Sequence, residues 1–363
     1  MAGPLVLIFH RPARADDAPL VRLLADVRGR LATAQARLFE RAGAGLVRHL
    51  GHSEDAAAPS SFGQALAGLA PARGGLIVLG GGAVPRLTLG DARRLVEVAA
   101  SGERRALTNN RYSSDVCAVG DAATLGNLPA LPSDNALPRW LEERDGFAVA
   151  ELPSRERLAL DIDTPQDVAL WALAPAAPGW VGRLLRDEGI AIAGLAELRA
   201  LAADPHAELL VGGRAGSVTL RWLERNVRCR VRFLVEERGL RASSPLAIGG
   251  RRPARPPRSP RSTLGRLLAH AGPEALAAVV GELADGAIID SRVLLADRFG
   301  ADEDTWPAPA DRYASDLLRS DEIGDAWLRA LTASAAASRQ PILLGAHSLV
   351  GPGVRLLLGA ALE

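Results

Sequence analysis

Short, uniformly apolar runs alternate along the first half of the chain with stretches of helical spacing. "PLVLIF" (residues 4–9) and "GGLIVLGGGAVPRLT" (74–88) are apolar without a polar face, the pattern of strands buried on both sides. The segment from about Leu20 to Leu50 has helical periodicity throughout. "SFGQALAGLA", opened by Ser61 as a cap, and "LGDARRLVEVAAS", closed by Gly102, predict two more helices. "RRALTNN" and "DVCAVGD" read as short strands around a polar turn, followed by a helix at "LPRWLEERD" and a strand at "GFAVAELP". "RLALDID" predicts a last strand and "TPQDVALWALA" its following helix.

Strands alternating with helices predict an α/β domain of three layers, a mostly parallel sheet covered on both faces. Ligands of such sheets lie beyond the carboxyl ends of the strands. The segments "HRPARADD", "GGGAVP", "TNNRYSSD" and "DIDTP" are therefore expected to converge on one crevice.

Pro and Ala cluster at "LAPAAPGW" (173–180), which places a domain boundary there: residues 1–175 form one domain and 176–363 a second, α/β or α+β. In the second, "CRVRFLVEERG" alternates as a half-buried strand and "GAIIDSRVLLAD" is strand-like. Helices are expected near 263–285 and 311–337. "GGRRPARPPRSPRS" (249–262) is a Pro/Arg-rich loop.

Composition narrows the chemistry. A chain of 363 residues, 48% hydrophobic and 23% charged, is that of a folded protein, and its net charge of +1 gives no electrostatic case for nucleic acid or an acidic membrane. Every one of the 43 basic residues is Arg, which excludes Schiff-base chemistry, a P-loop lysine and a lysine general base. Cys117 and Cys229 stand alone and are expected to pack as small apolar residues. No apolar run reaches the roughly 18 residues of a spanning helix, and the expected location is cytoplasmic.

Asp161 and Asp163, two apart on an expected strand, would leave the same face. Carboxylates so close repel unless a cation lies between them, and Mg2+ held by one or two carboxylates and substrate phosphates fits a strand end. The competing reading is a capped helix, with Asp163 or Thr164 as N-cap, Pro165 at the first position and Asp167 in the first turn. In the turn "TNNRYSSD", Asn109 and Asn110 can read a sugar or base edge, or merely build the turn. In the second domain, Gly212, Gly213 and Gly216 with Arg214, Ser217 as cap, Arg221 and Arg225 can hold an anion at a helix start, or the arginines form a solvated face. His347 has no visible partner carboxylate and is read as a buried or capping residue.

"LALDIDTPQDVALW" resembles the late strand-helix junction of MobA-like nucleotidyltransferases, among them molybdenum-cofactor guanylyl- and cytidylyltransferases and phospholactate guanylyltransferases. The order of elements over about residues 4–175 agrees with them. The resemblance implies a GT-A-like nucleotidyltransferase fold and transfer of NMP from a nucleoside triphosphate to a small phosphorylated acceptor. Asp161 and Asp163 would then hold Mg2+, and Arg11, Arg14, Gly80, Gly81 and Gly82 would line the nucleotide with Asn109 and Asn110. The chain departs from the family in two places. Its first loop, "FHRPARADDAPLVR", has neither Gly nor Lys, and Gly82 stands where the D-x-P motif has its metal-binding carboxylate. A catalytically inactive domain that binds or scaffolds, joined to an anion-binding second domain, is the alternative.

Overall fold

A computed structural model describes residues 3–51, 62–129, 131, 134–153, 156–236 and 260–359. Ser61 and most of the Pro/Arg-rich loop at 249–262 lie outside the described residues. The chain divides into two compact units. Among the described residues, the first holds 3–15 and 25–162, and the second 16–24, 163–236 and 260–359.

The first unit carries strands β1 (Leu5–Phe9), β2 (Leu46–Leu50), β3 (Leu76–Gly80), β4 (Arg105–Thr108), β5 (Val116–Val119) and β6 (Ala148–Glu151). They form one sheet in the order β2-β1-β3-β5-β4-β6, with β5 alone antiparallel to its neighbours. The apolar runs behave as the pattern requires: Val6, Leu7, Ile8, Leu76 and Ile77 are fully buried. Helices α1 (Pro19–Ala42), α2 (Phe62–Leu69), α3 (Leu89–Ala100) and α4 (Leu137–Arg144) accompany the sheet. One core gathers Phe39 with Leu95 and Val96 on the Ile8 and Ile77 face; the other gathers Leu66, Leu125 and Leu141 on the Leu7 and Val78 face. Apolar cover on both faces is the three-layer arrangement expected.

Two local expectations are corrected. The helical stretch assigned to 20–50 ends at Ala42, and Leu46–Leu50 is an edge strand. "RLALDID" is no strand: Arg157–Ala159 forms a 3-10 turn, and Leu160 to Asp163 run on without pairing in the sheet. Leu158 and Leu160 are fully buried, so their two-residue spacing imitates a strand.

In the second unit α5 (Pro165–Ala172), α6 (Gly179–Asp187) and α7 (Leu195–Ala203) precede strand β7 (Glu208–Gly213). Helix α8 (Ser217–Asn226) leads to β8 (Arg230–Val235), and α9 (Thr263–Ala271) and α10 (Leu276–Leu283) lead to β9 (Gly286–Asp290). After it come α11 (Ser291–Phe299), α12 (Pro309–Asp316), α13 (Ala326–Ala336), β10 (Ile342–Gly345), α14 (His347–Val350) and α15 (Pro352–Leu357). The sheet, in the order β10-β9-β7-β8, is wholly parallel. "GAIIDSRVLLAD" splits at Asp290: only "GAIID" is strand, because the Asp290 side chain accepts the Arg292 amide and caps α11. Both cysteines are buried and unbridged. No helix among the described residues is long and apolar enough to cross a membrane.

Candidate functional site

β1 is flanked by β2 on one side and β3 on the other, so the connections leaving them diverge at their carboxyl ends. Such a switch point is where open α/β sheets bind ligands. Two segments meet there. The Gly81 amide donates to the Phe9 carbonyl at 2.7 Å, and the His10 amide to that of Leu50 at 2.9 Å. The His10 imidazole lies between two glycines. A β carbon on Gly81 would stand 3.1 Å from His10 Cβ, and one on Gly29 3.0 Å from Nε2. Nδ1 is buried and has no hydrogen-bond partner among the described residues. Burial, then the charge of Arg28 and the neighbouring His49, keep the imidazole below its usual pKa, with Asp26 opposing them.

The turn after β3 is clamped rather than open. The Ile162 amide donates to Gly82 O at 3.1 Å, and Gln35 Nε2 to Ala83 O at 2.6 Å. Arg28 Nε donates to Ile162 O at 2.6 Å. Val84 completes the turn, fully buried at φ +41°, a left-handed conformation costly for a β-branched side chain. Gly82 itself must be glycine on steric grounds. Its β carbon would lie 2.6 Å from Ile162 O and 2.8 Å from Arg28 Nε.

That observation tests the divalent cation the resemblance implies. A metal-binding carboxylate at position 82 has no room, and the space it would need is bordered by a guanidinium, which repels a metal ion. Asp161 turns one oxygen, Oδ1, back to accept the Ile162 amide at 2.9 Å. The Asp163 amide donates to Asp167 Oδ2 at 3.0 Å, within a full capping box of Thr164 and Asp167. Among the described residues no group of three His, Cys, Asp or Glu side chains is placed to hold a metal. Position 82 thus cannot supply the carboxylate that the resembled motif places there.

The other expected ligand residues fall as follows. Arg11 and Arg14 are exposed on the loop after β1; Gly81 and Gly82 are buried, and Gly80 partly so. Asn109 is buried, with Nδ2 donating to Asp115 Oδ2 (2.6 Å) and Leu158 O (3.1 Å), and Oδ1 accepting from the amides of Asp115 and Val116. Every hydrogen-bonding position of this amide is thus taken by the chain itself. Asn110 Oδ1 accepts the Tyr112 amide, and Arg111 is tied to Glu142, Glu151 and the Val149 carbonyl.

In the second unit, β7 and β9 form the corresponding divergence. Asp290, fully buried, accepts Arg214 Nε at 2.6 Å and Nη2 at 3.1 Å. Burial alone would raise this carboxyl, but Arg214 and its hydrogen bonds, with His347 and Arg292, outweigh burial and hold it below the ordinary range. Gly213, at φ +130°, allows the approach, since a β carbon there would meet Asp290 Cβ. Arg292 forms two bonds to Asp316, at 2.7 and 2.6 Å, wholly inside the unit. Ser217 is corrected: the N-cap of α8 is Gly216, no side chain caps it, and Ser217 is exposed, as are Arg221 and Arg225.

Sequence reasoning missed His10 and Arg28. The first lay inside a segment already marked as a strand end; the second had no local signal, being one arginine of several on α1. Comparison of the chain with family models, with curated proteins and with solved structures gives no match.

Proposed function

We propose that the first unit is a nucleotide-binding module of nucleotidyltransferase type, taking a nucleoside triphosphate beyond the carboxyl ends of β1 and β3. One observation carries the reading: His10 and Arg28 come together with the Gly81–Gly82 backbone at the point where the sheet connections diverge. A guanidinium supplies the charge that a polyphosphate requires. Arg11 and Arg14, on the same loop as His10, would extend that field.

Transfer of NMP to a small phosphorylated acceptor is the second reading. The packing at Gly82 favours binding over transfer, because it removes one anchor for a cation at the reacting phosphate.

Thermal shift of the full chain with GTP, CTP, ATP and UTP tests the proposal. Binding at 100 times Kd stabilises by about 2.7 kcal/mol, and a Gly81→Val variant, which drives a side chain against His10, should lose the effect. Absence of stabilisation by all four nucleotides would refute nucleotide binding. Release of pyrophosphate in a screen of phosphorylated acceptors would restore the transfer reading.

A further inference from the structure

We propose that Arg86, set beside Arg157 on the first unit, is an oxyanion site that takes the phosphate or carboxylate group of a small ligand. It lies beyond the nucleotide reading and does not depend on it, so either can fail without the other. Arg157 has its partners within the chain. Its Nη2 pairs with Asp91 at 2.9 Å, and its Nη1 donates to the Arg86 carbonyl at 2.6 Å. Arg86 is the opposite case. Among the described residues its Nη1 is buried with no hydrogen-bond partner, and the one charged group that acts on it is Arg157, of the same sign.

A charge drawn out of water without a partner costs free energy, and a folded chain ordinarily meets that cost with a carboxylate, as Asp91 does for Arg157. Arg86 has burial and a second guanidinium instead, and the two, burial first, hold it below the usual guanidinium range. Arg86, Arg157 and Asp91 together therefore keep one positive charge unbalanced. Their backbone is fixed on every side. Arg157 is tied to the main chain of Arg86 itself, the Leu87 amide closes the turn on Val84 O at 2.9 Å, and the Thr88–Asp91 capping box begins α3 directly afterwards. The two guanidiniums are thus kept together by the fold. The Arg86 side chain is only partly buried, so an anion reaches it from the surface and needs no enclosed cavity. Phosphate and carboxylate oxygens match the parallel N–H groups of a guanidinium and bring at once the acceptor and the negative charge that Arg86 lacks.

Phosphorus and proton NMR on the full chain test the site, following the line broadening of inorganic phosphate and of acetate at constant ionic strength. The expected result is saturable broadening of at least one ion, and the tighter of the two assigns the site to phosphate or to carboxylate. Arg86→Met should weaken that binding about tenfold, as loss of one charge-assisted hydrogen bond does. Urea denaturation in chloride buffer gives a second readout that a structural arginine would move the other way. Arg86→Met should be no less stable than the wild type, because it removes a buried charge that has no partner. No saturable binding of either ion to the wild type overturns the inference. Binding undiminished in Arg86→Met overturns it as well. So does an Arg86→Met protein that is unfolded or clearly destabilised in chloride, since the arginine would then be serving the fold.

Discussion

Arg157 Nη2 stands 2.9 Å from Asp91 Oδ2, and Arg157 Nη1 donates to the Arg86 carbonyl at 2.6 Å. Asp91 is at the same time the N3 member of the Thr88 capping box that begins α3. One ion pair thus joins the turn leading into Asp161 to the loop that follows Gly82. Because both side chains are largely out of water, removing one partner strands the other. Arg157→Ala should cost about 3–5 kcal/mol in urea denaturation. Asp91→Ala should cost as much or more, since it also removes the cap.

Gly82 gives a second prediction. Gly82→Ala places a methyl against Ile162 O and Arg28, and should destabilise by about 1–3 kcal/mol, the usual penalty of overpacking. Gly82→Asp, which would restore the carboxylate of the resembled motif, should be worse still. It should confer no Mg2+-dependent stabilisation in a thermal melt. A folded, Mg2+-responsive Gly82→Asp protein would contradict the packing described.

Asp167 is fully buried, and its Oδ1 has no hydrogen-bond partner among the described residues. Burial first, then the nearby Asp163 and Asp316, push its carboxyl from 3.8 to about 8, against the opposing bonds from Thr164 and the Asp163 amide. The folded state therefore keeps a proton that the unfolded chain releases. Its contribution is fully present below pH 3.8, declines as pH rises, and is gone above about 8. Asp167→Asn carries the amide in place of the acid and should flatten the fall in stability between pH 5 and 8, as followed by chemical denaturation.

Arg292 and Asp316 supply a test of a different kind. Either single change, Arg292→Met or Asp316→Leu, should cost about 3–5 kcal/mol, while the double variant should recover much of the loss, since two buried charges leave together. A double-mutant cycle in urea measures the difference. Additive losses would mean that the two side chains do not depend on each other.

Much of the sheet was legible in the chain because central strands have no polar face to confuse the pattern: β1, β3 and β9 announce themselves as "LVLIF", "LIVLG" and "GAIID". β2 did not, since an edge strand with Leu46 57% exposed carries no apolar run. The DIDTP junction was half legible. Its capping box follows from residue types three apart, whereas the 3-10 turn before it is decided by where Leu158 and Leu160 find the core. The residues around the Gly81–Gly82 turn were the hardest to read. His10 and Arg28 acquire their meaning from Gly81, Gly82 and Ile162, and no local pattern ties positions so distant in sequence.

The antiparallel placement of β5 has a kinetic consequence. In the six-stranded sheet, β4 and β5 alone pair across a short turn; every other pairing waits for a crossover of several dozen residues to close. Loop-closure entropy then makes the β4–β5 hairpin the earliest piece of the sheet to assemble. Asn109, which knits that turn with three bonds to Asp115 and Val116, becomes a residue of the folding nucleus: its loss would slow refolding more than it speeds unfolding. The rate at which the six-stranded sheet forms would thus be set by its shortest connection.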